Sequence, residues 1–179
     1  MIYFTADTHF SHSNVIQMEN RPFRSTEEMD QVLVQNWNAR VSPSDDIYIL
    51  GDLTLKGPAL ANELLKQLQG RKYLIRGNHD RFVDRKSCQR DAFLWVKDYF
   101  ELSWQGQYFI LCHYPLLSWN GMYRGSFQLH GHQHNKPEYN LANRAAGVRR
   151  LDVGVDAHEM SPVSIQEILT FWNEGHGGG

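Results

Sequence analysis

Short apolar runs that stop at a polar side chain recur along this chain. Residues 1–7 read as a buried strand ending in Asp7. Ile47-Tyr48-Ile49-Leu50 leads into Gly51-Asp52-Leu53 and predicts a second strand over 46–51. A third, over 72–76, ends in Gly77-Asn78-His79-Asp80. Residues 99–104 and 107–112 flank Gln105-Gly106, which predicts a β-hairpin ending at His113. Residues 127–130 form another run before Gly131-His132-Gln133-His134, and 151–155 a last one.

Between the strands, spacing near 3.6 marks helices. Ser25-Thr26-Glu27-Glu28 resembles a capping box, and Met29, Val32, Leu33, Asn36 and Trp37 continue as a stripe to about Arg40. Beyond Gly57-Pro58, Leu60, Leu64, Leu65 and Leu68 share a face of a helix running to Gln69 and closed by Gly70. A last helix covers 164–172. Residues 8–24, 115–126 and 135–148 carry no period and read as loops, and 81–96 as mixed, partly helical chain. The order predicts a layered α/β protein whose sheet turns antiparallel late in the chain.

Composition narrows this picture modestly. The length of 179 residues suits one domain over 1–174, with a flexible glycine-rich tail at 175–179. Residues are 41% hydrophobic and 21% charged, and no apolar run is long enough to span a membrane. The chain opens on a strand-like run, not a leader, and two cysteines make no disulfide framework, so a reduced cytoplasmic home is expected. A net charge of -2 gives no general pull toward nucleic acid or membrane, and nothing identifies a protein partner. Nine histidines are the outlier.

Five strand ends in succession deliver metal-ligand side chains. Asp7 and His9 lie two apart, so an extended strand end would aim both at one ion. Aspartate and imidazole together suit Mn, Fe, Zn, Ni or Co, and argue against an all-oxygen Ca or Mg cage. Asp52 is placed to bridge two ions. Asn78 offers a neutral oxygen, while His79, next to it on a turn, is placed to move a proton. Asp80 reads as a turn residue or as the orienter of His79. His113 and the pair His132 and His134 complete the set; His130 reads as packing or support, and Cys112 as a buried hydrophobe. Taken singly, Asp-x-His is more often a turn, and a lone strand-end histidine more often a core residue.

The ordered set Asp7-x-His9, Gly51-Asp52, Gly77-Asn78-His79-Asp80, His113, Gly131-His132-x-His134 resembles the calcineurin-like metallophosphoesterases. With His12, Asn14 and Arg21-Pro22-Phe23, the chain looks like the short, capless bacterial and phage members. The resemblance implies a four-layer α/β/β/α sandwich of two mixed sheets flanked by helices. It implies two divalent ions, manganese favoured, one on Asp7, His9, Asp52 and His134 and one on Asp52, Asn78, His113 and His132. A bridging hydroxide would attack the phosphorus in line, with His79 as proton donor and no covalent intermediate. Asp52 is followed by Leu53-Thr54-Leu55-Lys56, which sets the chain apart from the phosphoprotein phosphatases.

A phosphate-ester substrate follows, with a small or nucleotide-like phosphodiester favoured. Phosphomonoesters, nucleic acid and a catalytically silent metal-binding module are the alternatives. Seven basic residues against two acids lie between Arg71 and Arg90. Tyr114, Trp119, Tyr123 and Phe127 offer stacking surfaces for nucleotides or single-stranded nucleic acid. His12, Asn14, Arg21, Arg81 and Arg124 are the expected substrate-binding residues.

Overall fold

The computed structural model describes residues 1–174. In chain order the elements are β1 (Ile2–Thr5), α1 (Ser13–Met18), α2 (Thr26–Arg40), β2 (Asp46–Ile49), α3 (Pro58–Gln67), β3 (Arg71–Ile75) and β4 (Phe93–Lys97). The second half holds β5 (Tyr99–Trp104), β6 (Gln107–Cys112), β7 (Phe127–His130), α4 (Pro137–Ala145), β8 (Arg150–Asp152), β9 (Val163–Ser164) and α5 (Ile165–Glu174). The first sheet has the order β4-β3-β2-β1-β9, parallel except for β9. The second has the order β5-β6-β7-β8, with only β5 antiparallel.

Two mixed sheets flanked by helices follow from strands that are apolar on both faces. In β2, Ile47 and Ile49 point outward to Met29, Leu33 and Trp37 of α2 and to Leu64 and Leu65 of α3. Tyr48 and the following Leu50 point inward, with Phe4 and Ile75, toward Phe109, Leu111, Phe127 and Leu129 of the second sheet. Each such side chain removed from water stabilises by roughly 1.5–3 kcal/mol, so this double layer holds the fold together. Ile165, Ile168 and Trp172 of α5 join the layer between the sheets, with Trp172 edge-on to Phe127 at 5.6 Å. The outer face of the second sheet is covered thinly: α4 packs on β8, and the loop after His113 is tied down through Gln128 to Leu116 and Tyr114.

The predicted strands and the hairpin are present, and Gln105 and Gly106 both adopt positive φ (46° and 78°), as a two-residue hairpin turn requires. Helix α2 begins as expected, with Ser25 Oγ accepting from the Glu28 N–H at 3.2 Å, but the Glu28 carboxylate takes the Arg24 N–H and leaves that of Ser25. Several expectations give way. The stretches 8–24 and 135–148 contain α1 and α4, and 81–96 is partly helical as expected, in 3-10 turns at Arg81–Asp84 and Arg90–Ala92, but runs into β4. Helix α4 was hidden because its inward face is polar: Asn140 exchanges two hydrogen bonds with the Asp152 backbone, at 2.9 and 2.8 Å, and Tyr139 meets His130. It also carries the chain over between β7 and β8, so these strands run parallel, and the antiparallel pairing expected late in the chain is confined to β5 and β9. The expected tail, 175–179, lies outside the described residues. No helix among the described residues is long and apolar enough to cross a membrane.

Candidate metal centre

The strands of the first sheet deliver their ends to one edge, where the backbone continues to pair beyond the regular strands. Asp7 N–H donates to Gly51 O, His9 N–H to Asp52 O and Phe10 N–H to Leu53 O, at 3.0, 3.0 and 2.9 Å. The second sheet extends in the same way, with Gly131 N–H donating to His113 O (3.0 Å), and joins the first through His132 N–H to Asp7 Oδ2 (2.8 Å) and through a bridge between Ala6 and Gly154. Asp7, His9, Asp52, His132 and His134 all have positive φ, from 50° to 73°. The shared aim of Asp7 and His9 therefore comes from a turned backbone, not from strand alternation. A left-handed backbone costs a non-glycine residue about 1–2 kcal/mol, and five such residues meet at this one place.

Their side chains converge. Asp52 Oδ2 lies 3.5 Å from His9 Nε2 and 3.5 Å from His113 Nε2. Asn78 Oδ1 lies 3.1 Å from His113 Nε2 and 3.1 Å from His132 Nδ1. The His134 and His9 rings are 4.9 Å apart. Donor atoms of Asp7, His9 and His134 fall within 4.8 Å of one another, as do those of Asp7, Asp52 and His113.

The donor set fits cations. Asp7 Oδ1 and both ring nitrogens of His9 are buried and make no hydrogen bond among the described residues, an arrangement that costs free energy unless a ligand satisfies them. Burial, then the nearby Asp152 and Asp52 carboxylates, push the Asp7 carboxyl well above its ordinary range. Burial and the neighbouring His134 push the His9 imidazole down to about 2, so it is neutral and its lone pair is free to coordinate. His113 is oriented by Leu50 O at 2.8 Å from Nδ1, which leaves Nε2 for the centre, and burial lowers its basicity despite Asp52.

Asp80 does not orient His79. Its Oδ2 accepts from Asp52 N–H and Gly77 N–H (both 2.8 Å) and its Oδ1 from Leu53 N–H (2.9 Å), fastening the turn that presents Asp52. Burial lifts the Asp80 carboxyl to about 7. His79 is anchored instead by its own N–H, which donates to Asp52 Oδ1 at 2.9 Å, and its ring stands edge-on to His9 at 5.5 Å.

Two glycines matter through close approach. A Cβ on Gly77 would lie 2.1 Å from Asp52 Oδ1, and one on Gly131 2.6 Å from Asp7 Oδ2. Gly131 is thus needed for the close approach of Ala6 and Asp7. Gly77→Ala should displace Asp52 and weaken metal binding, read by titration calorimetry as an affinity lowered by about tenfold or more, the scale of losses when a ligand's support is disturbed.

Sequence reasoning missed Asp156. This carboxylate is buried at the end of β8's continuation, where Oδ2 lies 2.9 Å from His134 Nδ1 and 2.7 Å from Arg21 Nη2. Its Oδ1 takes Lys136 Nζ at 3.1 Å. Burial pushes Asp156 up, but the bonds from His134 and Arg21 outweigh it and hold it well below the usual carboxylate range. The expectation for Arg21 is corrected accordingly. It is 4% exposed, and its guanidinium also donates to Thr8 O and Asp7 O, so it braces the centre from inside and presents no charge to a substrate. Asp156→Asn should lower metal affinity by about 10–100-fold through His134. It should also cost about 3–5 kcal/mol in a denaturant melt by stranding Arg21.

The remaining expected substrate contacts divide. His12 packs beside His9, with ring centroids 5.5 Å apart, and Asn14 is exposed on α1. Arg81 lines a cleft of about 820 Å³ next to Asn78. Arg124 lines a different cavity with Gly106 and Gln107. That is the far end of β6, about 20 Å of strand from His113, too distant for the role expected of it.

The calcineurin-like phosphoesterase family profile matches residues 1–164 of this chain. The chain belongs to that family. An uncharacterised protein of Methanocaldococcus jannaschii is 36% identical over 178 residues, covering 97% of this chain and 92% of that protein. The gene 66 protein of Mycobacterium phage D29 is 27% identical, covering 97% and 98%. A crystal structure of a protein of unknown function from Aquifex aeolicus superimposes with a TM-score of 0.74 at 27% identity, covering 96% and 98%. As a calcineurin-like phosphoesterase the chain is a metal-dependent hydrolase of phosphate esters.

Proposed function

We propose that the protein is a dinuclear phosphodiesterase acting on small or nucleotide-like substrates. The observation that supports this reading is Asp52 Oδ2, set 3.5 Å from His9 Nε2 and 3.5 Å from His113 Nε2, as a carboxylate shared by two ions would be. Asp7, His9, Asp52 and His134 would hold one ion, and Asp52, Asn78, His113 and His132 the other, with Mn²⁺ the favoured metal. The ions, when bound, supply an acidified water and neutralise charge on the phosphoryl oxygens.

The protein's own side chains do the rest. Asp80 fixes the turn that carries Asp52, and Asp156 fixes the ring of His134, so the donors are set before substrate arrives. His79 is half-buried, its ring nitrogens have no hydrogen-bond partner among the described residues, and Asp52 Oδ1 holds its backbone in place. It is positioned to hold a proton for the departing alkoxide, the group whose charge rises most as the ester bond breaks. The nucleophile is water and not a side chain.

The test compares bis-p-nitrophenyl phosphate with p-nitrophenyl phosphate in Mn²⁺. Metal-dependent turnover is expected, faster on the diester and abolished by a chelator. Failure to hydrolyse either ester at any metal concentration would overturn the reading.

A further inference from the structure

The cleft beside Asn78 is lined by Arg76, Gly77, Asp80, Arg81, Asp84, Arg85, Asp98, Cys112 and Tyr114 as well. Its charges are not equivalent. Arg76 is spoken for, with Nη1 2.8 Å from Asp84 and Nε 3.4 Å from Asp98. Asp80 is turned inward to backbone N–H groups. Both exposed acids of the cleft therefore share a single arginine, and the lining still holds three guanidinium groups against those two acids. Arg81 and Arg85, carried by the short 3-10 turn Arg81–Asp84 and the residue after it, have no side-chain partner among the described residues. Two guanidinium groups facing a solvent cleft are a site for an anion that accepts paired N–H donors, which is phosphate chemistry.

The lining also holds one aromatic ring. Tyr114 is 44% exposed, and its ring packs edge-on against His132 at 4.7 Å and His113 at 5.0 Å. Those are the two histidines that converge on Asn78. The cleft thus adjoins the candidate centre at Asn78 and carries one ring and two unpaired guanidinium groups in its lining. Its volume of about 820 Å³ admits a nucleotide.

We infer that this cleft receives a substituent of the scissile phosphorus, with a second phosphate on Arg81 and Arg85 and a heteroaromatic base against Tyr114. The preferred substrate is then a nucleotidyl phosphodiester that carries a further phosphate. This rests on the phosphoesterase reading and narrows it to a substrate class.

Binding to the metal-loaded full chain tests it, using adenosine 5′-monophosphate and adenosine 3′,5′-bisphosphate as probes. The centre meets one phosphate in either ligand, so the difference between them reports the second. The wild-type chain should bind the bisphosphate at least about tenfold more tightly. Arg81→Gln with Arg85→Gln should bring that ratio close to one, and Tyr114→Leu should weaken both ligands while keeping it. Arg85→Gln alone should give an intermediate ratio, with circular dichroism showing each variant folded. Equal binding of the two ligands by the wild type, or a ratio unchanged in the double variant, would overturn the inference. Failure to hydrolyse bis-p-nitrophenyl phosphate alongside an arginine-dependent ratio would instead remove the reaction and leave the cleft standing.

Discussion

Asp52→Asn is expected to lower the affinity for both metal ions and to reduce kcat/KM by about 10²–10³-fold or more, the scale set by losing one charge-stabilising group in an active centre. The substitution keeps the shape of the side chain and removes its charge. Because Oδ2 faces His9 and His113 equally, the loss should appear at both ion sites. The Asp80 clamp bonds the backbone of residue 52, so the turn should persist. Fluorescence or calorimetric titration with Mn²⁺ reads this directly: both binding steps should shift. A shift confined to one step would show that Asp52 belongs to one ion only.

His79→Ala is expected to do the opposite. Both ions should remain bound, because no donor atom of the clusters comes from that ring. Turnover should fall by about 10²–10⁴-fold where the leaving group is an alkoxide. The loss should be much smaller for a nitrophenolate, which leaves without being protonated. That split between leaving groups separates proton donation from general damage to the site. Loss of bound metal in this variant, or an equal loss on both ester types, would contradict the role.

The two substitutions probe features of unequal legibility in the sequence. The ends of β1, β2, β3, β6 and β7 were readable because each apolar run stops at Asp, Asn or His, and an inward-facing strand must release its chain at a sheet edge. The strand β4 was not, since Phe93–Lys97 lies at an edge and has only one partner, reached through a long-range pairing with β3. Helix α4 was not, because its buried face is Asn140 and Tyr139 and shows no apolar period. Asp156 was invisible for a related reason. It holds His134 while paired with Arg21, 135 residues away, and the sequence marks neither the ion pair nor its burial. Arg21 illustrates the general risk: an arginine in a loop near a catalytic motif suggests substrate binding, and only packing reveals that it faces inward.

The central claim is that two cations share Asp52. The most direct measurement is metal content of the Mn²⁺-saturated full chain, combined with an anomalous difference map of its crystals. The account predicts two ions per chain, about 3.5–4 Å apart on either side of Asp52. One ion per chain, or two ions without Asp52 between them, would contradict it.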